Sequence, residues 1–327
     1  MKKSLLVKGM VAVVASTLIM SSAFAAEMKR IAISTIVEVP ALLDTKNGII
    51  EGLAERGYIV GKNLEVDYQN ANGKMDTQLA IAKKFIGNRP DVLVPITTPT
   101  SQAMIAGNKD IPVVFATVTD PIKAKLISRY IKPGANVTGV SDAAPIVNQL
   151  ELFKKIVPGL KKIGFIYNPG LDNALATLGW MQEEGAKMGI EVIESPAPTT
   201  NEVLIATKKL VGKVDAIYVP NDTTVISAIA AIIKIGQDTD TPIFTGETGH
   251  VESGAIGSVG IDYLGVGKIA GHMVADVLDG KNPGDIDAVI AYKVLTEFKV
   301  VLNKAAAEKM GVTLSDEVLS MATEVFE

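Results

Sequence analysis

The feature that most constrains this chain is a regular alternation of short apolar runs with helix-like stretches. Ten runs read as strands: Arg30–Ile36, Leu64–Asn70, Val92–Ile96, Val113–Thr117, Val137–Val140, Ile163–Tyr167, Glu191–Ser195, Ala216–Val219, Ile243–Thr245 and Ala255–Gly260. Several are continuously apolar, which fits strands buried on both faces, as in a parallel sheet covered by helices. Alternation at this spacing predicts βαβ units and an α/β fold, not a sandwich or a helical bundle. The segments between carry helix signals. Asp76 can cap a helix whose Leu79, Ala82, Phe85 and Ile86 share a face. Gln149–Val157 stops at Pro158-Gly159, and Ala174–Met188 stops at Gly189. Thr200 or Asn201 can cap the next helix, and Leu264–Leu278 and Asn303–Met310 end at Gly280 and Gly311.

A length of 327 residues exceeds the usual size of one core, so two domains are expected. Five strands fall before Asp142 and five between Ala143 and Asp262, with no Pro/Gly/Ser-rich linker between them. Two doubly wound halves facing each other account for this most simply.

Residues 1–25 read as a secretory signal peptide. Lys2 and Lys3 precede an apolar stretch from Gly9 to Met20, and Ala23 and Ala25 stand at the cleavage positions. The apolar stretch is shorter than the roughly 20 residues of a spanning helix. Cleavage after Ala25 removes three lysines and no carboxylate, moving the net charge from −4 to −7. An acidic body argues against nucleic acid as a partner. The chain has no cysteine, which excludes disulfides, thiolate catalysis, cysteine metal sites and a lipid-attachment cysteine. Export without a lipid anchor points to the periplasm.

Ligands of open α/β sheets sit beyond the carboxyl ends of the strands. Thr98, Thr100 and Ser101 follow Val92–Ile96 and open an apparent helix, whose free N–H groups suit a carboxylate or serve as a plain cap. Asp120 follows the Val113–Thr117 run, and Ser141 and Asp142 follow Val137–Val140. Tyr167, Asn168 and Asn173 stand at and beyond the end of Ile163–Tyr167. Asn221 and Asp222 follow Ala216–Val219, and Asp262 follows the Ala255–Gly260 run. Polar groups thus recur at strand ends of both halves, as an interdomain ligand site requires. Signs of enzyme chemistry are thin. His250 and His272 are the only histidines, and no HExxH, GxSxG, Walker or GxGxxG pattern occurs. No catalytic residue, metal or cofactor is expected.

Several segments together resemble one family. They are Gly57-Tyr58-Ile59-Val60-Gly61-Lys62-Asn63, Thr98-Pro99-Thr100-Ser101-Gln102-Ala103, Val118-Thr119-Asp120-Pro121, Pro133 through Asp142, Tyr167-Asn168-Pro169 and Gly260-Ile261-Asp262-Tyr263. The chain resembles the ABC-transporter substrate-binding proteins that include tryptophan- and tyrosine-type receptors. The resemblance implies a type I periplasmic-binding-protein fold: two Rossmann-like lobes joined by three crossovers, near Asp142–Ala143, Asp262–Tyr263 and Lys293–Thr296. One lobe would hold 26–142 with about 263–294, the other 143–262 with about 295–327. It also implies a monomer that captures a small molecule, an amino acid of aromatic or apolar type, and delivers it to an inner-membrane ABC permease by hinge closure. In that picture Thr98, Thr100 and Ser101 hold the ligand carboxylate. Asp120, Asp142, Asp222 or Asp262 meets its ammonium, and Tyr167 and Phe115 contact its side chain. Departures from the family pattern at Val39, Leu43, Thr223 and Ala174 replace or alter polar groups near the cleft. A ligand-sensing receptor with the same fold, or a secreted hydrolase, are the alternative readings.

Overall fold

The computed structural model describes residues 28–295 and 297–327. The expected signal peptide and Thr296 lie outside them. Thirteen strands occur among the described residues: β1 (Lys29–Thr35), β2 (Leu64–Asn70), β3 (Val92–Ile96), β4 (Val113–Phe115), β5 (Val137–Ser141), β6 (Lys162–Tyr167), β7 (Glu191–Pro196), β8 (Ala216–Val219), β9 (Ile243–Thr245), β10 (Gly257–Gly260), β11 (Val289–Ile290), β12 (Lys299–Asn303) and β13 (Glu324–Phe326). They form two sheets, ordered β11-β5-β4-β3-β1-β2 and β13-β12-β10-β9-β8-β6-β7. All pairings are parallel except β10 with β12.

The order β2-β1-β3-β4-β5 in the first sheet repeats as β7-β6-β8-β9-β10 in the second. This is the doubly wound α/β architecture, twice. Each sheet has a point where successive strands leave in opposite directions, between β1 and β3 and between β6 and β8. Ligand crevices form at such points.

The ten expected strands all form, with ends shifted by up to two residues. The last three strands were not expected. β11 and β13 have two and three residues, too few to show a period of two, and β12 runs antiparallel at a sheet margin. Helix ends also differ in detail. Lys74, not Asp76, is the N-cap of Met75–Asn88, with Asp76 in the first turn. Thr199 caps Thr200–Leu210, and the Glu202 carboxylate accepts from the Thr199 N–H and hydroxyl at 3.0 and 2.8 Å. The helices Pro40–Glu55 and Ile229–Asp238 add to those read above.

Two helices cover the first sheet on one face and bring the site together. Pro40–Glu55 and Tyr263–Leu278 touch through Gly48 and Gly52 on one and Gly267 and Gly271 on the other. A Cβ on Gly267 would lie 2.1 Å from the Thr45 carbonyl oxygen, and one on Gly48 2.1 Å from that of Leu264. Only glycine lets the two backbones come this close, so the heads of both helices arrive side by side at the end of the sheet. Among the described residues, no helix is long and apolar enough to cross a membrane.

Candidate functional site

A small cavity of about 30 Å³ lies where the carboxyl ends of the two sheets face each other. Residues from both switch points line it: Val37, Thr97 and Thr98 beyond β1 and β3, and Asn173 and Asn221 beyond β6 and β8.

The wall on the first sheet is rich in hydroxyls. Thr97, Thr98, Thr117 and Thr119 all line it and all are buried. The Thr98–Ala106 helix starts at the cavity, and its first-turn N–H groups stand beside the hydroxyls except at Pro99, which has none. Thr97 and Thr117 have φ of +86° and +51°. Such values are true outliers for β-branched residues, and strain of this kind gathers at functional sites. Val39 and Leu42 from the head of Pro40–Glu55 add an apolar patch.

Asp142 is the carboxylate on this wall. Its Oδ1 accepts from Thr119 Oγ1 at 3.3 Å and its Oδ2 from Tyr263 Oη at 3.4 Å. Burial pushes its carboxyl up to about 6; the Thr119 hydroxyl opposes the shift and the nearby Glu247 charge adds to it. The Tyr263 phenol, buried beside Asp142 and Glu247, is raised well above its usual value, chiefly by desolvation.

The wall on the second sheet carries amides and one carboxylate. Asn221 Nδ2 donates to Tyr263 Oη at 2.9 Å, tying the walls together. Asn173 Nδ2 donates to the Asn221 carbonyl at 2.7 Å. Glu247 stands two residues beyond β9. The loop that carries it is held by the buried Gln149, whose Nε2 donates to the Gly246 and Val259 carbonyls at 3.0 and 2.8 Å. A Cβ on Gly246 would lie 2.7 Å from both Asn221 Oδ1 and Tyr218 Oη, so a side chain there would displace these groups. Three acceptors of cavity-lining residues on this wall, Asn173 Oδ1, Asn221 Oδ1 and Glu247 Oε1, have no hydrogen-bond donor. Glu247 Oε1 does lie 2.8 Å from His250 Nε2, an electrostatic contact without the direction of a hydrogen bond.

The structure sorts the twelve expected residues into groups. Thr98, Asp142, Asn173 and Asn221 line the cavity. Thr100, Ser101 and Ser141 stand behind it: the Thr100 hydroxyl is 3.0 Å from that of Thr97, Ser101 Oγ donates to the Thr97 carbonyl, and Ser141 Oγ donates to the Thr119 carbonyl. The other five, like Phe115, are not among the lining residues. Asp120 Oδ1 accepts from the backbone of Ile122 and Lys123. Asp222 is fully buried as an N-cap, taking the N–H groups of Thr224, Val225 and Asn168 at 2.9, 3.2 and 2.6 Å. Asn168 Nδ2 binds Thr224, and Asp262 meets Lys299 at 3.4 Å. Tyr167 Oη donates to Glu194 at 2.6 Å, and Phe115 is sealed in the core of the first sheet.

Glu247 was missed, although the rule that ligand groups follow strands applies to Ile243–Thr245 as to the others. Two further contacts join the sheets outside the cavity. Gln102 Nε2 donates to Asp172 Oδ2 at 2.8 Å, and Lys123 Nζ to the Leu175 carbonyl at 3.0 Å.

Comparison with known proteins places this geometry. Residues 30–326 match the sequence profile of the family described as ABC transporter substrate binding protein. A tyrosine-binding protein of Clostridioides difficile is 39% identical over 278 residues, covering 85% of this chain and 79% of that protein. An ABC domain from Streptococcus pneumonia, solved with L-Trp, superposes with a TM-score of 0.87 at 34% identity, covering 92% of this chain and all of that one. A Clostridium difficile substrate-binding protein with adhesive properties, solved ligand-free and open, gives 0.70 at 33% identity, covering 91% of this chain and 99% of that one.

Proposed function

The chain belongs to the ABC transporter substrate-binding proteins and has their type I periplasmic-binding fold, and from that premise we propose that it captures an aromatic amino acid, tryptophan or tyrosine, in the cavity between its lobes. The observation that carries the reading is the contrast between the cavity walls. Two buried amide acceptors without donors, Asn173 Oδ1 and Asn221 Oδ1, beside the Asp142 and Glu247 carboxylates, call for a group that brings donors, and a primary ammonium brings three. Opposite them, hydroxyls and a helix N-terminus suit a carboxylate. A zwitterionic amino acid satisfies both walls at once. Its ring would rest on Val37, Val39, Leu42 and Ile226, since Tyr263 is the only aromatic lining residue.

Asp142, Glu247, Asn173 and Asn221 form the ammonium side, and Thr97 and Thr98 the carboxylate side, while the Thr119 hydroxyl donates to Asp142. A charge-assisted hydrogen bond contributes about 1.5–3 kcal/mol. A few of these with a buried ring suit a dissociation constant near micromolar, about −8 kcal/mol.

The protein acts as the solute receptor of an importer, exported to the periplasm by a cleaved signal peptide. As a monomer it binds between lobes 26–142 with about 263–294 and 143–262 with about 295–327, which close about the crossovers. The closed form then docks on an ABC permease. The better superposition on the L-Trp complex than on the open protein, at 34% and 33% identity, supports reading the present arrangement as closed.

The test is calorimetric titration of residues 26–327, refolded to strip carried-over ligand, with each amino acid. A dissociation constant below about 10 μM for L-tryptophan or L-tyrosine, at least tenfold better than for leucine, is expected. No heat and no thermal shift with any aromatic amino acid sinks the reading; at a hundredfold excess over the dissociation constant a true ligand adds about 2.7 kcal/mol of stability.

A further inference from the structure

The cavity has one carboxylate more than a zwitterion needs. Asp142 and Glu247 both line it, and no lysine or arginine does. Asp142 and Tyr263 both feel the Glu247 charge, so the two acids share one field. An amino acid brings a single ammonium, with its own carboxylate attached. Two uncompensated acids would repel that carboxylate and would favour a ligand of net positive charge.

His250 resolves the mismatch. It occupies the 3₁₀ turn Thr248–His250 directly after Glu247, and the turn folds its ring back onto that carboxylate, Nε2 to Oε1 at 2.8 Å. Both side chains are at least nine-tenths buried, exposed by 7% and 5%. As an ion pair the two carry no net charge. The backbone on either side of the pair is held by Gln149, which clamps Gly246, and by Asn303, whose Nδ2 donates to the Val251 carbonyl at 2.9 Å.

We propose that His250 is a positioning residue that determines specificity: paired with Glu247, it makes the two cavity carboxylates count as one negative charge, so the site selects a zwitterionic amino acid over its carboxyl-blocked, cationic counterpart. His250 does not line the cavity and acts only through Glu247. The inference rests on the amino-acid reading above and adds the device that excludes amines and amides.

The experiment measures the ratio of dissociation constants for L-tryptophanamide and L-tryptophan at pH 7. Wild type should favour tryptophan strongly. His250→Phe fills the ring space but carries no proton, and the ratio should fall at least tenfold. His250→Gln keeps a donor without a charge and should behave like His250→Phe. Glu247→Gln removes the acid together with the partner of the His250 ring, leaves the single Asp142 charge, and should keep the ratio within threefold of wild type. The double variant restores one negative charge, and its ratio should return to within threefold of wild type.

A His250→Phe ratio within twofold of wild type in a folded protein overturns the proposal, as does a wild-type-like His250→Gln. If His250→Phe does not fold, His250→Gln decides, and a ratio within twofold of wild type there overturns the proposal. One arm needs no ligand. His250 and His272 are the only histidines, so their ring ¹⁵N resonances are separable with a His272→Gln variant. Glu247→Gln should shift the His250 signals, and unmoved signals overturn the pairing. Absence of wild-type binding to tryptophan and tyrosine would instead sink the amino-acid reading, and the resonance arm would still judge the pair.

Discussion

The two walls of the cleft descend from the same topology and have diverged in chemistry. Each is built at a switch point of the same strand order. The first wall offers threonine hydroxyls and the Asp142 carboxylate on a strained backbone, and the second offers amides and the Glu247 carboxylate on an unstrained one. The walls also rest on different supports. Behind the first stand two helices in backbone contact through four glycines, and behind the second a buried glutamine bonds the loop. A repeated fold can therefore bind a molecule with two unlike poles, because only the loops after the strands need to differ.

The largest effect should come from breaking the supports. In Gly267→Ala the new methyl meets the Thr45 carbonyl, which cannot swing away, and a loss of about 3 kcal/mol in urea unfolding is expected. Gly246→Ala meets only the ends of the Asn221 and Tyr218 side chains. It should cost about 1 kcal/mol, with ligand affinity suffering more than stability. Equal losses at both positions would show that the two supports are alike.

Next in size is the contrast between two buried acids at strand ends, one on each wall. Asp142 and Asp222 are both pushed up to about 6, first by burial. Asp142 faces the cavity, whereas Asp222 is saturated by three backbone N–H groups. Asp142→Asn should weaken binding about thirtyfold, near 2 kcal/mol, and leave stability unchanged or higher. Asp222→Ala should lose about 2 kcal/mol of stability as a helix cap and leave the affinity of the folded protein within threefold. Thermal unfolding and calorimetry on both variants separate the roles, and exchanged outcomes would refute the assignment.

These two acids mark what the sequence can and cannot tell. Both follow an apolar run directly, so both read as ligand groups, and nothing local says that one carboxylate is consumed by the turn behind it. The strand-end rule reached Thr98, Asn173 and Asn221, which line the cavity. Applied to β9 it would have reached Glu247 as well. The apolar lining was harder to see. Leu42 lies in an ordinary amphipathic helix, and which of its apolar side chains meets the cleft depends on the four-glycine contact with a helix more than two hundred residues away. The two sheets were legible from ten strands, and the three short strands at their margins were not, because so few residues carry no periodicity.

A smaller effect follows from protonation of the first wall. The raised Asp142 carboxyl is ionised above about 6 and protonated below. Only the ionised form pairs with an ammonium. Affinity should hold steady from pH 8 to 7 and fall as pH drops through 6, by up to about tenfold per unit. The unliganded protein should respond in the opposite sense. Folding holds the carboxylate in a poorer environment than the unfolded chain, so this group's penalty, present at neutral pH, is relieved as pH falls from about 6 toward the ordinary carboxylate range. Asp142→Asn should flatten the affinity profile, and a profile unchanged by that variant would remove Asp142 from the ammonium side.

The smallest effect concerns the strain itself. Thr117 is β-branched and sits at φ +51°, where glycine is at ease and threonine is not. Its hydroxyl donates to the adjacent Ala116 carbonyl at 2.7 Å, a local bond that compensates little. Thr117→Gly removes about 1–3 kcal/mol of strain but adds about 0.5–1 kcal/mol of chain entropy in the unfolded state. The net expectation is a gain of roughly 0.5–1 kcal/mol, read as a rise in the urea midpoint at constant m. Ligand affinity should fall at the same time, because the side chain lines the cavity. Stability and binding moving in opposite directions would mean that the first wall holds a strained threonine for the sake of its contact with the ligand. If both fall together, the positive φ is simply the shape of the turn after β4, and the contrast between a strained and a relaxed wall has no bearing on capture.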